Sequence, residues 1–126
     1  MNQIELKTRK REEILDITSE VEKLIGESGI ALIYTPHTTA SVILNEAESG
    51  LLQDILSALE RIVPYNAQYR HNDIDNNATA HIKASLLGNA VVVPFENGKL
   101  QLGTWQRVLF VEFDGPRTRR VVVKEL

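Results

Sequence analysis

Three histidines, His37, His71 and His81, are the imidazoles of this 126-residue chain, and all three lie in two polar stretches, Thr35 to Gly50 and Gln68 to Ser85. The chain has no cysteine, so His, Asp and Glu are the strong metal-binding groups it offers. A catalytic zinc site typically uses three protein ligands and leaves a fourth position to water or substrate. Three histidines fit that count. Their spacings, 34 residues (71 − 37) and 10 residues (81 − 71), match no compact signature such as HExxH. The same spacings also suit three loop histidines, each with its own hydrogen-bond partner. Asp73, Asp75 and Asn77 are the nearest groups able to orient an imidazole from behind.

Asp73 and Asp75, with Glu46, are candidates for a general acid or base, or for ligands of a hard cation such as magnesium. Loop Asp and Asn side chains also close turns on their own backbone. Lys83 and Ser85 fall on the helix predicted to follow His81, where i, i+4 spacing sets His81 and Ser85 on one face; Ser85 is equally able to bond back onto its own helix. A third polar segment is Leu102-Gly103-Thr104-Trp105-Gln106. Its Trp105, the one tryptophan, fits packing in a core or subunit interface better than stacking on a ligand. Asp114-Gly115-Pro116-Arg117 is a turn by composition. Arg117 and Arg119 after it are suited either to bidentate phosphate binding or to ion pairs, and they belong to a basic cluster with Arg120 and Lys124.

The elements that must position these groups follow from periodicity. Ile4, Leu6 and Thr8 alternate with Glu5, Lys7 and Arg9, giving a strand over 3–10. Thr18-Ser19 reads as an N-cap for a short helix over 19–27. Ile30 to Tyr34 is a buried strand ended by Pro36, with His37 just beyond it, and the β-branched run 38–45 is a third strand with Asn45 and Glu46 at its exit. Leu51, Leu52, Ile55, Leu56, Leu59 and Ile62 make an amphipathic helix over 50–62. From Pro64 to Ala80 periodicity disappears, and a structureless connection of that length is more often functional than not. A helix over His81–Leu87 ends at Gly88. Strands over 90–94, 100–102, 106–113 and 119–124 follow as a β-meander, with Glu96-Asn97-Gly98-Lys99 as a hairpin turn. The pattern predicts a single-domain α+β protein, a mixed β-sandwich or curled sheet with two or three short helices on one side.

Composition narrows the function classes. A net charge of −3 and a pI of about 5.6 give no global basic field for nucleic acid. The N-terminus has no continuous apolar stretch of a signal peptide, and no apolar run reaches the ~20 residues of a membrane helix. A soluble, cytoplasmic protein with no nucleic-acid or membrane partner is expected.

The segments PHTTASVILNE, YRHNDIDNNATAHIKASLLG, GKLQLGTWQ and EFDGPRTR, in this order across nearly the whole chain, resemble the YjbQ family, described as secondary thiamine-phosphate synthase enzymes. Ala90 departs from the serine frequent in that family. The resemblance implies a compact α+β protein built round a β-sandwich and assembled as a homotrimer. Carried over motif by motif, it implies His37, His71 and His81 as zinc ligands, with magnesium as the other divalent ion to consider. The implied reaction joins a hydroxymethylpyrimidine pyrophosphate to a thiazole phosphate and releases pyrophosphate. In that scheme Glu46, Asp75 and Lys83 are the catalytic candidates, Lys83, Arg117 and Arg119 add positive charge, and Asn45, Asn77, Ser85 and Gln106 hold the substrate. Two other classes use the same residues: a metal-dependent hydrolase of a small phosphate or ester with Glu46 or Asp75 as base, and a non-enzymatic binder of a small anionic metabolite.

Overall fold

The computed structural model describes residues 2–126. Its elements run β1 (Asn2–Lys7), β2 (Glu13–Asp16), α1 (Thr18–Glu22), β3 (Ser28–Tyr34), β4 (Ala40–Asn45), α2 (Ser49–Ile62), a 3-10 turn (Arg70–Asp73), α3 (Ala78–Leu87), β5 (Ala90–Glu96), β6 (Lys99–Leu100), β7 (Arg107–Glu112) and β8 (Thr118–Glu125). A five-stranded sheet in the order β1-β8-β3-β5-β6 faces a three-stranded sheet in the order β2-β7-β4. All pairings are antiparallel. The expected α+β sandwich is therefore what the chain forms, with α2 and α3 on one side of it and α1 packed into the layer between the sheets.

Alternation along each strand sorts side chains between two apolar layers. Ile4, Ala31, Ile33, Val93, Phe95, Val121 and Val123 meet Ala40, Val42, Val108 and Phe110 between the sheets, and α1 adds Val21. The opposite face of β7 and β4 supplies Val111 and Ile43, which pack with Phe113 under Leu59 of α2 and Ala80 and Ala84 of α3. Each large apolar side chain removed from water there contributes roughly 1.5–3 kcal/mol. Small residues on α3 let it lie close to the sheet, so close that Ser41 Oγ of β4 donates to the Ala84 carbonyl at 3.2 Å. No helix among the described residues is long and apolar enough to cross a membrane.

Four details differ from the sequence reading. Glu13–Asp16 is a strand, β2, paired with β7. The first helix spans Thr18–Glu22 with Ile17 at its N-cap position; Thr18 does not cap it, its Oγ1 donating to Asp16 Oδ1 at 2.7 Å and accepting from the Val108 N–H at 2.8 Å. The C-terminal strands are not a meander: β5 and β6 form the expected hairpin through Asn97 (φ 54°) and Gly98 (φ 72°), but β7 crosses to the other sheet and β8 returns between β1 and β3. The segment from Pro64 to Ala80 is partly regular, with its 3-10 turn and with α3 beginning at Ala78.

At the end of β7 a carboxylate is buried completely. Glu112 is 0% exposed. Its oxygens accept from Arg119 Nε at 2.8 Å and from Arg119 Nη2, from Thr8 Oγ1 at 2.8 Å and from the Asp114 N–H at 3.0 Å. Arg119, 4% exposed, also donates to Thr39 Oγ1 at 2.8 Å. Removing one partner of a buried pair strands the other charge, at a typical cost of about 3–5 kcal/mol. Arg119→Leu should therefore lose about 3–5 kcal/mol of unfolding free energy in a urea titration, and the Glu112→Leu/Arg119→Leu double variant should lose less than the single one; a double variant as damaged as the single would contradict this account.

Candidate functional site

Strand β3 ends at Tyr34 because Pro36 cannot continue a sheet ladder. Beyond that point β8 needs new partners, and side chains supply them: Thr35 Oγ1 donates to the Arg120 carbonyl at 3.0 Å, and His37 Nε2 accepts the Arg120 N–H at 3.0 Å. His37 thus stands in for a strand carbonyl. With Nε2 committed as an acceptor, the neutral ring carries its proton on Nδ1. His37 lines a cavity of about 650 Å³ together with Tyr34, Thr38, His81, Ser85 and Asn89. A second hollow of about 250 Å³ also reaches His37 and is bordered by Glu5, Thr118, Arg119 and Arg120.

His81 sits in the first turn of α3, and the 3-10 turn brings His71 against it. The two rings meet edge to face, with centroids 4.7 Å apart. Asn77 is the residue before α3; its Oδ1 lies 3.0 Å from His71 Nε2, and its Nδ2 donates to Asp114 Oδ2 at 2.9 Å. Arg117 holds that same Asp114 by donating from Nε to the backbone carbonyl at 2.8 Å and from Nη2 to Oδ2 at 2.9 Å.

A zinc ion on His37, His71 and His81 does not fit this arrangement. The His37 Nε2 lone pair is used by a backbone N–H and Nδ1 is protonated, so ligation would first require giving up the Arg120 bond. Among the described residues no three His, Asp or Glu side chains converge as a metal set. The structure brings together His71 and His81, and it brings His37 and His81 to one cavity.

Several other candidates lie elsewhere. Lys83 is fully buried two positions from His81, on another face of α3, and donates to Glu12 Oε2 at 2.7 Å and Glu60 Oε1 at 2.9 Å. It is a structural cation between α2, α3 and the segment before β2. The Tyr65 N–H and then Lys83 hold the Glu60 carboxyl below its ordinary value. Arg119 is consumed by Glu112 and Arg117 by Asp114. Ser85 Oγ donates to the His81 carbonyl at 2.9 Å, the back-bonded alternative. Asn45 and Glu46 leave the far end of β4, roughly 17 Å of strand from Ala40 at about 3.3 Å per residue. Asn45 Oδ1 accepts the Glu46 N–H, and Gln106 Oε1 accepts the Gly103 N–H. Glu46 borders a separate 270 Å³ hollow with Trp105, which is 70% exposed and so is not a core residue of this chain. Asp75 contributes backbone bonds to His71 and Asn77. The residue that sequence reasoning placed only within a basic cluster is Arg120: it points outward from β8 and has no ion-pair partner among the described residues. Asp114 was legible only as a turn residue.

Residues 2–126 match the family model described as UPF0047 protein YjbQ-like. A UPF0047 protein of Archaeoglobus fulgidus is 60% identical over 125 residues, 98% of this chain and 99% of that protein. The UPF0047 protein YugU of Bacillus subtilis is 45% identical over 127 residues, 96% of this chain and 95% of its own. Among solved structures, a hypothetical protein of Aeropyrum pernix K1 superposes with a TM-score of 0.94 at 41% identity, over 99% of this chain and 96% of that one. A YjbQ/UPF0047-family protein of Clostridium acetobutylicum does so with a TM-score of 0.93 at 42% identity over 100% of both chains. These names carry no activity, substrate or ligand.

Burial lowers the His37 pKa below its ordinary 6.5, and Arg119, Arg120 and Arg117 lower it further against the opposing pull of Glu112. The folded state therefore binds fewer protons at this ring than the unfolded state. Its contribution to stability is complete above 6.5 and is lost as the pH falls through that value toward the lower folded one. Urea titrations between about pH 7 and about pH 5 should show a steeper loss of stability for the native chain than for His37→Gln; parallel curves would refute the assignment.

Proposed function

The chain belongs to the UPF0047 family of YjbQ-like proteins, and from that premise we propose that it is an enzyme of the secondary thiamine-phosphate synthase type whose cavity between His37 and His81 holds a small phosphorylated substrate. The observation that supports this reading is the donor set around His37: its ring with the proton on Nδ1, and Arg120, which has no ion pair among the described residues and borders the adjoining hollow that shares His37, opposite Glu5 of β1. A cavity of 650 Å³ is in the range that small-molecule sites occupy.

In the proposed reaction the thiazole nitrogen attacks the methylene carbon of the pyrimidine. A C–N bond forms, the C–O bond to pyrophosphate breaks, and the electron pair leaves on the pyrophosphate oxygen. Stabilising that developing charge and aligning the two rings are what the protein must supply. We assign the first task to the His37 Nδ1–H, with Arg120 adding charge from the adjoining hollow that shares His37, and the second to the walls formed by Tyr34, Thr38 and His81. The attacking nitrogen has no proton to lose, so the step asks for no general base. That agrees with Glu46 and Asp75 lying outside the cavity lining.

Calorimetric titration with pyrophosphate is the direct test. A hydrogen bond to a charged group carries about 1.5–3 kcal/mol, so Arg120→Ala should weaken binding at least about tenfold. Lys99→Met, at an exposed position on β6 outside both hollows, should leave it unchanged, and so should a chelator, because the donors belong to the chain. Incubation with both phosphorylated substrates should release pyrophosphate, followed by phosphorus NMR. Release of orthophosphate instead would assign hydrolysis, binding without turnover would assign a metabolite binder, and no pyrophosphate binding by the native chain would remove the reading.

For the assembly we propose the homotrimer that the resemblance implies. The outer face of the five-stranded sheet has no helix over it, and Ile30 and Val92 stand there 45% and 55% exposed beside Leu32 and Val122. Val92→Arg should shift the sedimenting species to monomer. A native chain that sediments as a monomer would overturn the proposal.

A further inference from the structure

An Asn just before a helix ordinarily turns its side-chain oxygen onto a first-turn N–H, a cap that contributes about 1 kcal/mol. Asn77 occupies that position before α3 and makes no such bond. Asn72 Oδ1 accepts the N–H of Ala78, the first residue of the helix, at 3.0 Å. The Asn77 amide is instead strung between Asp114 and His71. A side chain diverted from its usual stabilising bond to hold an imidazole points to a role for that imidazole.

The direction of every bond in this chain of groups is fixed by donor and acceptor chemistry. Arg117 can only donate, so Asp114 receives it as an acceptor through Oδ2. The same Oδ2 can only accept from Asn77, which orients the amide with Nδ2 toward Asp114. Asn77 Oδ1 then faces His71 and can only accept, so the hydrogen at His71 Nε2 is specified. We propose that Asp114 is a positioning residue which, through Asn77, holds His71 in the Nε2–H form and keeps its Nδ1 lone pair as the free acceptor at the edge of the His71–His81 pair. His37 holds the opposite tautomer, with its proton on Nδ1, because a backbone N–H occupies its Nε2.

The assignment of roles to this pair rests on the cavity being the functional site, but the tautomers do not depend on any substrate. Two-bond nitrogen–proton NMR spectra of the full-length protein with labelled histidines read them directly. His71 should show a protonated Nε2 and His37 a protonated Nδ1. In Asp114→Ala the amide is released, and solvent exchange of the His71 Nε2 proton should accelerate about tenfold, the factor carried by one lost hydrogen bond. Asp114→Asn should restore slow exchange, because Arg117 obliges the new amide to present its oxygen at the position of Oδ2. His37 serves as internal control for folding and should not change in either variant. A native His71 protonated at Nδ1, or an exchange rate that Asp114→Ala leaves unchanged while His37 is unperturbed, would overturn the proposal. Should Asp114→Ala fail to fold, the native tautomers and the Asp114→Asn exchange rate still decide it. Absence of pyrophosphate binding would count against the proposed function alone and leave the tautomer result standing.

Discussion

The carboxylate of Glu112 is the constraint on which both the sandwich and the site depend. A charge at 0% exposure is stable only when its lone pairs are filled by donors, since an unpaired buried ion costs several kcal/mol. Arg119, Thr8 and the Asp114 N–H fill them. These donors come from the start of β8, the chain just after β1 and the turn after β7, so one carboxylate fixes where three segments meet. Gly115 is required at that junction: a Cβ there would lie 2.3 Å from the Lys10 carbonyl oxygen and 2.8 Å from Thr8 Oγ1. Through Arg119 the same node reaches Thr39, two residues from His37. Through Asp114 it reaches Asn77 and His71.

A second ionic knot does similar work on the helical side. Lys83 places its ammonium between Glu12 and Glu60, and this docks α3 onto α2 and onto the approach to β2. Residues two apart on a helix do not share a face, so anchoring Lys83 inward turns His81 toward the cavity. His81 therefore owes its position to a charge pair on another side of its own helix. Small Ala80 and Ala84 let that helix sit close enough to β4 for the cavity wall to form.

Much of this was legible from the residues. Period-two alternation located β1, apolar and β-branched runs located β3 and β4, 3.6-residue periodicity located α2, and Asn97-Gly98 marked the hairpin because both need positive φ. Gly88, at φ 87°, ends α3 as its composition indicates. The crossing of β7 to the other sheet was not legible, because Val108 to Val111 is apolar on both faces and its neighbours are set by tertiary pairing alone. The Arg119-Arg120-Val121-Val122-Val123 run carries no parity: two like charges followed by three like apolar residues do not say which arginine turns inward. Arg119 was consequently left between phosphate binding and an ion pair, and Arg120 within a basic cluster, whereas burial of Val121 and Val123 places Arg119 inside, in the ion pair. Lys83 misled for a related reason, since nothing near it in sequence announces Glu12 or Glu60.

The pairing of charges also explains how a chain of net charge −3 can leave an arginine free of ion pairs, among the described residues, beside His37. Glu112 is spent on Arg119 and Asp114 on Arg117, while Arg120 borders the smaller hollow with Glu5 opposite it across β1 and β8. What the main cavity senses is set by the hydrogens that fixed acceptors leave on its lining residues. His37 illustrates this effect: because β8 needs an acceptor where β3 ends, a backbone N–H consumes one ring nitrogen and the other must donate. The requirement that a sheet edge satisfy its own hydrogen bonds thereby decides the protonation state of a side chain at the cavity, which binds the chemistry of the site to the point where a strand stops.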